Sequence, residues 1–171
     1  MKRGWINLNL KFFSFLIILV GLLSACNSNT ELKESKEPLV EIYSIALDTI
    51  MAEDGALNSD MEFIAIDMSN FEDLDESDKE EILSYFKKKY KVSVMDATFE
   101  QLKEKGLYNF STMALDGVLL RIEKVDFESN NEIVFQGSKY RASEGAIGIE
   151  FRVHYKDDKW EAKEVRLLRI S

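Results

Sequence analysis

Residues 147–155 read IGIEFRVHY and alternate apolar with polar or small side chains along the whole stretch. The apolar positions are Ile147, Ile149, Phe151, Val153 and Tyr155. Since successive side chains of a β-strand point to opposite faces, this period of two predicts a strand with one face on a core and the other in water. The polar face carries His154, the only histidine of the chain.

The segments around this strand predict three further strands joined by short turns. Strands are expected at residues 118–127, at residues 132–142 and from about residue 160 onward. The turns between the four strands are Ser129-Asn130-Asn131, Ser143-Glu144-Gly145 and Asp157-Asp158-Lys159. In the last strand the apolar face changes around Lys163-Glu164, which predicts a β-bulge.

The part of the chain before these strands shows helical spacing. A helix over about residues 38–54 is predicted by apolar residues three and four apart, and Gly55 lies just past its end. These apolar residues are Leu39, Tyr43, Ala46, Leu47 and Ile50. Residues 63–66 form a short apolar run that favours a buried strand, with a helical turn as the alternative.

Two capping patterns predict two more helices. Ser77 with Glu80 fits a capping box in front of a second apolar stripe, and Thr98 with Gln101 fits one in front of a short helix closed by Gly106. Between them, Val92 and Val94 indicate a brief extended piece.

Helices followed by a meander of strands predict the α+β fold class. We expect one domain over residues 38–171, in which N-terminal helices pack on one face of a curved antiparallel sheet of about four C-terminal strands. This order of elements resembles the nuclear-transport-factor-like and cystatin-like cone folds. The resemblance concerns element order alone and brings no site residue with it.

The first residues carry an export pattern. Lys2, Arg3 and Lys11 are basic, and residues 12–25 read FFSFLIILVGLLSA. These fourteen residues fall short of the roughly 18 to 20 that a membrane-spanning helix needs, so residues 1–25 are predicted to be a removable signal peptide.

The residues Leu23-Ser24-Ala25-Cys26 resemble the lipobox of bacterial lipoproteins. The resemblance implies cleavage between Ala25 and Cys26, a diacylglycerol joined to the Cys26 sulfur, and a place on the extracytoplasmic face of the cell membrane. Because no second cysteine exists, a disulfide is disfavoured. Two acyl chains, at about 0.8 kcal/mol per buried methylene, hold a protein stably. Residues 26–37 would form a lipidated polar tether.

The charge of the chain limits its partners. Without the three basic residues of the signal peptide, 19 basic residues face 31 acidic ones, a formal charge of −12. Such a surface repels phosphate backbones and anionic headgroups, so we expect no nucleic acid partner and membrane contact only through the lipid on Cys26. An envelope protein or a small molecule remains open as a partner.

Two sequence patterns begin like known sites and then fail. Asp73-x-Asp75-x-Ser77 starts like a calcium loop, but Asp78 stands where glycine is needed and Ser84 where glutamate is needed. An acidic helix N-terminus explains this run. Ser84-x-x-Lys87 matches the Ser-x-x-Lys of penicillin-recognising enzymes without their other motifs, which favours an exposed helix serine.

The remaining candidates are one histidine and a set of aromatic residues. His154 could act as a base beside Glu150 or Arg152, although a solvated strand histidine is the simpler interpretation. Five strand aromatics could line the pocket of a cone-shaped fold or fill its core: Phe135, Tyr140, Phe151, Tyr155 and Trp160.

No pattern identifies a catalytic set, a metal site or a cofactor site. We therefore expect a non-catalytic, membrane-tethered binding or interaction module of the cell envelope. The alternatives are a small-ligand carrier with an apolar pocket between sheet and helices, and a hydrolase that uses His154.

Overall fold

The structure is a computed structural model that describes residues 37–129 and 131–170. The predicted signal peptide, Cys26 and all of the tether before Glu37 lie outside these ranges. The helices are α1 (Glu37–Ala52), α2 (Glu76–Tyr90) and α3 (Phe99–Glu104), with a short 3-10 helix at Gly55–Asn58. The strands are β1 (Phe63–Asp67), β2 (Ser93–Asp96), β3 (Tyr108–Asn109), β4 (Ala114–Ser129), β5 (Glu132–Ala142), β6 (Gly145–Lys156) and β7 (Lys159–Ile170).

The described residues form an α+β fold with one mixed sheet of seven strands in the order β2-β1-β4-β5-β6-β7, with β3 also paired to β4. Strands β4 to β7 are the expected antiparallel meander. The expected number of four strands is wrong, because β1 pairs parallel with both β2 and β4. Strand β1 gave no alternating signal because all five of its residues are buried.

Helices cover both faces of the parallel part of the sheet. Ile64 and Ile66 of β1 belong to the large core with α1 and α2, whereas Phe63 and Ala65 belong to a smaller core with Leu102 of α3. The prediction of helices on one face is therefore wrong. The physical reason for helices on both faces is that both faces of β1 are apolar, so each face must be shielded from water by a helix.

Helix α1 packs on the antiparallel part of the sheet, and its predicted apolar residues fill the interface. Ala46, Leu47 and Ile50 are fully buried there. Ile50 lies over Gly137 so closely that a Cβ at that position would be 2.3 Å from the Ile50 Cδ1 atom. Side chains therefore fill this part of the interface closely. Farther along, where Tyr43 of α1 lies beside β4, a cavity of about 450 Å³ opens between Tyr43, Ile122 and Val125.

The ends of the helices confirm one capping prediction and correct two. Thr98 and Gln101 cap α3 as expected. Helix α2 is capped by Asp75 and Asp78 and not by the predicted pair two residues later, because an Asp75 carboxylate oxygen accepts bonds from the amides of residues 77 and 78. After α1 the left-handed residue is Asp54, with a φ of 44°, and not Gly55.

A buried lysine holds the end of α1 to the sheet. The Lys139 ammonium of β5 donates to the main-chain oxygens of Met51 (3.0 Å), Glu53 and Asp54 (3.1 Å) and to the Asn58 side chain (2.9 Å). These carbonyls lie at the C-terminal end of a helix, where a cation is favoured. Burial lowers the pKa of the Lys139 ammonium to about 8, against the opposing effect of the acidic side chains of residues 53 and 54.

The predicted bulge in the last strand is confirmed. The pairing of β6 with β7 shifts register between Arg152 and Glu150, and Glu164 has a φ of 54° at that point. A second shift lies between Ile149 and Gly148. The two bulges break the alternation of β7, which explains why its apolar residues follow no single face.

Candidate functional site

The structure places His154 on the polar face of β6, as predicted. Only 14% of its side chain is exposed, so the interpretation as a solvated histidine is wrong. Its Nε2 atom lies 3.5 Å from a carboxylate oxygen of Glu161, while its Nδ1 atom is buried without a hydrogen-bond partner among the described residues. The two neighbours expected from the sequence are engaged elsewhere. Glu150 accepts hydrogen bonds from Arg166 and Gln136, and Arg152 pairs with Glu132 and Glu164.

The other predicted site residues do not come together. Asp75 caps α2, and Ser84 and Lys87 are exposed on that helix. Cys26 lies outside the described residues. Within those residues, no group of three or more His, Cys, Asp or Glu side chains could hold a metal ion.

The five strand aromatics divide among three places. Phe135 and Phe151 stack in the core with ring centroids 5.6 Å apart. Tyr140 lies on the opposite face of the sheet, 5.1 Å from the ring of Phe99. The Tyr155 and Trp160 rings meet beside the turn between β6 and β7, 5.3 Å apart. No one pocket within the described part of the chain contains all five.

The sheet face opposite α1 carries ion pairs along the meander. Arg152 binds Glu132 at 2.8 Å and Glu164 at 3.0 Å. Lys163 also binds Glu132 at 3.0 Å, and its hydrogen bond lowers the pKa of that carboxyl group. Pairs of this kind at the surface contribute little stability. Because each of these charged side chains has a partner of opposite charge, the charges on this face are matched within the sheet.

The last strand presents a different surface, which we call the β7 edge and define as residues 165–170. Strand β7 pairs with β6 on one side, and among the described residues no strand pairs with its other side. Four large aliphatic side chains of this segment are exposed: Val165 (42%), Leu167 (51%), Leu168 (42%) and Ile170 (69%). Arg166 and Arg169 lie between them, with 66% and 58% of their side chains exposed.

The β7 edge combines two properties that proteins usually avoid on their surface. An unpaired strand offers main-chain N–H and C=O groups to another strand, and clustered exposed aliphatic residues are typical of interaction sites. The opposite edge strand, β2, has only four residues, so it offers a much shorter row of such groups.

The sequence alone did not identify the β7 edge. The run Val165-Arg166-Leu167-Leu168-Arg169-Ile170 is visible in the sequence, but its exposure depends on the two bulges and on β7 being the last strand of the sheet. The usable signal was an aliphatic run interrupted by arginine near the end of a meander, since arginine is enriched in protein interfaces.

No helix of the described residues is long and apolar enough to cross a membrane. Comparisons with protein-family models, with curated proteins and with solved structures found no match to the chain. The lipobox and cone-fold resemblances therefore stay predictions.

Proposed function

We propose that this protein is a lipid-anchored protein of the bacterial cell envelope, and that its domain is a non-catalytic interaction module. The domain binds an extended segment of a partner protein along the β7 edge. The observation that carries this proposal is the unpaired strand β7 with its four exposed aliphatic side chains.

The location rests on the N-terminal pattern. A basic start, an apolar run and Leu23-Ser24-Ala25-Cys26 support export, cleavage and lipid attachment at Cys26. An anchor of this kind confines the domain near the membrane surface, which raises its effective concentration toward partners in the same layer.

The binding mode follows from the chemistry of an unpaired strand. A partner strand that joins β7 would satisfy the free main-chain groups, and its alternate side chains would cover the aliphatic residues. Arg166 and Arg169 pair with Glu150 and Glu123 of the same sheet, but 66% and 58% of the two arginine side chains are exposed. Because such exposed pairs are weak, acidic side chains of a partner segment can replace these carboxylates. The proposed partner segment is thus extended, aliphatic and acidic.

A second copy of this chain fits the β7 edge less well. If two copies paired antiparallel with the segment 165–170 of each in full overlap, Arg166 of each copy would face Arg169 of the other. Like charges directly opposite each other destabilise a strand pair. The partner we propose is therefore a different protein.

Titration of the full mature protein in detergent with a soluble peptide that alternates glutamate and valine tests the binding mode. We expect saturable binding, and at least tenfold weaker binding of a peptide that alternates lysine and valine. Leu167→Lys should weaken binding tenfold, because it puts a charge into the aliphatic segment. Phe127→Lys is the matched control, since Phe127 is 58% exposed on another strand.

Equal affinity of the wild type and the Leu167→Lys variant for the acidic peptide would contradict the proposed edge. Self-association of the wild type that Leu167→Lys abolishes would show that a second copy is the occupant instead. The anchor is tested separately by mass spectrometry of the protein from membranes. We expect a chain that begins at Cys26 with diacylglycerol on its sulfur, and an unmodified thiol or a chain that begins at Met1 would refute the location.

A further inference from the structure

The parallel part of the sheet has the topology that places ligands at strand ends. Strands β1 and β2 are parallel neighbours. After β1 the chain continues to α2, which packs in the large core on one face of the sheet. After β2 it continues to α3, which packs on the opposite face. Where connections from adjacent parallel strands diverge to opposite faces, a crevice opens at their carboxyl ends, and this is the common ligand position in open α/β sheets.

A cavity of about 370 Å³ lies at this position. Its apolar lining consists of Met68, Phe71 and Leu74, from the segment between β1 and α2. These three residues are nearly fully buried, so most of the accessible lining is polar. The segment after β2 lines it from the other side with Thr98 and Gln101. This volume is in the range of small-molecule sites, which begins at about 300 Å³.

Three charged side chains also line this cavity: Glu72, Lys79 and Asp96. The Asp96 carboxylate is held in place, because one of its oxygens accepts a bond of 3.2 Å from the main-chain amide of Met68. Lys79 pairs at 3.0 Å with Glu76, whose side chain is 89% exposed, while only 20% of the Lys79 side chain is exposed. An exposed partner of this kind exchanges readily for another carboxylate.

We propose that this cavity binds a free basic amino acid, that is, an aliphatic chain with ammonium groups and a carboxylate. The ligand carboxylate pairs with Lys79, and the side-chain ammonium group pairs with Asp96 and Glu72. The methylene chain lies along the apolar lining. The acidic surface of the mature chain draws such a cation toward the site. This site is separate from the β7 edge and does not rest on the function proposed for that edge.

Isothermal titration of the full mature protein with L-lysine tests the site. We expect saturable binding of L-lysine. We expect at least tenfold weaker binding of 1,5-diaminopentane, which lacks the carboxylate, and of norleucine, which lacks the side-chain ammonium.

Two variants locate the binding. Asp96→Asn keeps an oxygen acceptor for the Met68 amide and removes the charge, and Lys79→Met keeps most of the side-chain volume. Each should weaken L-lysine binding at least tenfold, whereas Glu144→Gln, in the turn between β5 and β6, should leave it unchanged. Circular dichroism and an unchanged urea midpoint confirm that each variant is folded.

Three outcomes would overturn the proposal. The first is no binding of L-lysine at millimolar concentration, and the second is equal binding of norleucine. The third is L-lysine binding that neither Asp96→Asn nor Lys79→Met weakens, since the ligand would then lie elsewhere. None of these results bears on the acidic peptide, so a failure here is distinguishable from a failure at the β7 edge.

Discussion

Strand β1 is covered by helices on both faces, whereas β6 is covered on one face and the second half of β7 is exposed. The covered strand leaves accessible surface only at its end, where the cavity between β1 and β2 lies. The exposed strand leaves accessible main chain along its side. One sheet can thus offer two kinds of accessible surface, a crevice in its parallel part and an edge in its antiparallel part.

The largest expected effect comes from the difference in burial between β1, which helices cover on both faces, and the exposed β7 edge. Ile64→Ala in β1 should lower the free energy of unfolding by about 3 kcal/mol, because Ile64 is fully buried and the change leaves a cavity. Val165→Ala on the β7 edge should change it by less than about 0.5 kcal/mol. Urea denaturation of both variants measures the difference in the free energy of unfolding. An equal decrease in both variants would show that β1 and the β7 edge do not differ in burial as described.

The next effect concerns the buried charge that fixes α1 to the antiparallel part. The pKa of Lys139 is about 8 when folded, against 10.5 as its ordinary value. Between these values the unfolded chain binds more protons than the folded one, so stability rises as pH rises from 8 to 10.5 and falls as pH is lowered through 8. We expect a gain of about 2 kcal/mol across this window.

Lys139→Met is the control for this pH dependence, because it removes the titrating group and keeps a long side chain. The gain in stability should vanish in this variant, although its stability at neutral pH should be lower because buried carbonyls lose their donor. Denaturation at pH 7.5 and pH 10 measures both. An unchanged pH dependence in the variant would show that another group is responsible.

The smallest effect concerns the bulge that shapes the β7 edge. Glu164→Gly should raise the free energy of unfolding by about 0.5 kcal/mol, since Glu164 holds a φ of 54° that glycine adopts without strain. Glu161→Gly, at a regular position of the same strand, should lower stability. A loss of stability in both variants would mean that the bulge is not a source of strain.

The sequence predicted the antiparallel part of the fold well and the parallel part poorly. Alternation located β6 because one of its faces is buried and the other is solvated. Alternation could not assign β1, whose residues are buried on both faces. The short apolar run at residues 63–66 correctly favoured a strand there, and Val92 and Val94 correctly indicated β2, but nothing revealed that β1 pairs with both β2 and β4. Parallel partners lie far apart in sequence and leave no local signal.

The candidate sites show the same limit. His154 could be placed on a polar face from the sequence, but its neighbour Glu161 lies on the next strand, in a register that only the structure gives. The pairing of Asp96 with Lys79 could not be recognised in the sequence, since the two residues belong to different segments that meet only at the cavity. The β7 edge required knowledge of which strand ends the sheet.

Hydrogen exchange of the two edge strands shows directly whether a peptide binds along β7. The full mature protein is followed with and without the peptide that alternates glutamate and valine. We expect that amide exchange slows in residues 165–170 of β7 and stays unchanged in residues 93–96 of β2. Unchanged exchange in β7 at a saturating peptide concentration, or equal slowing in both edges, would contradict binding along β7.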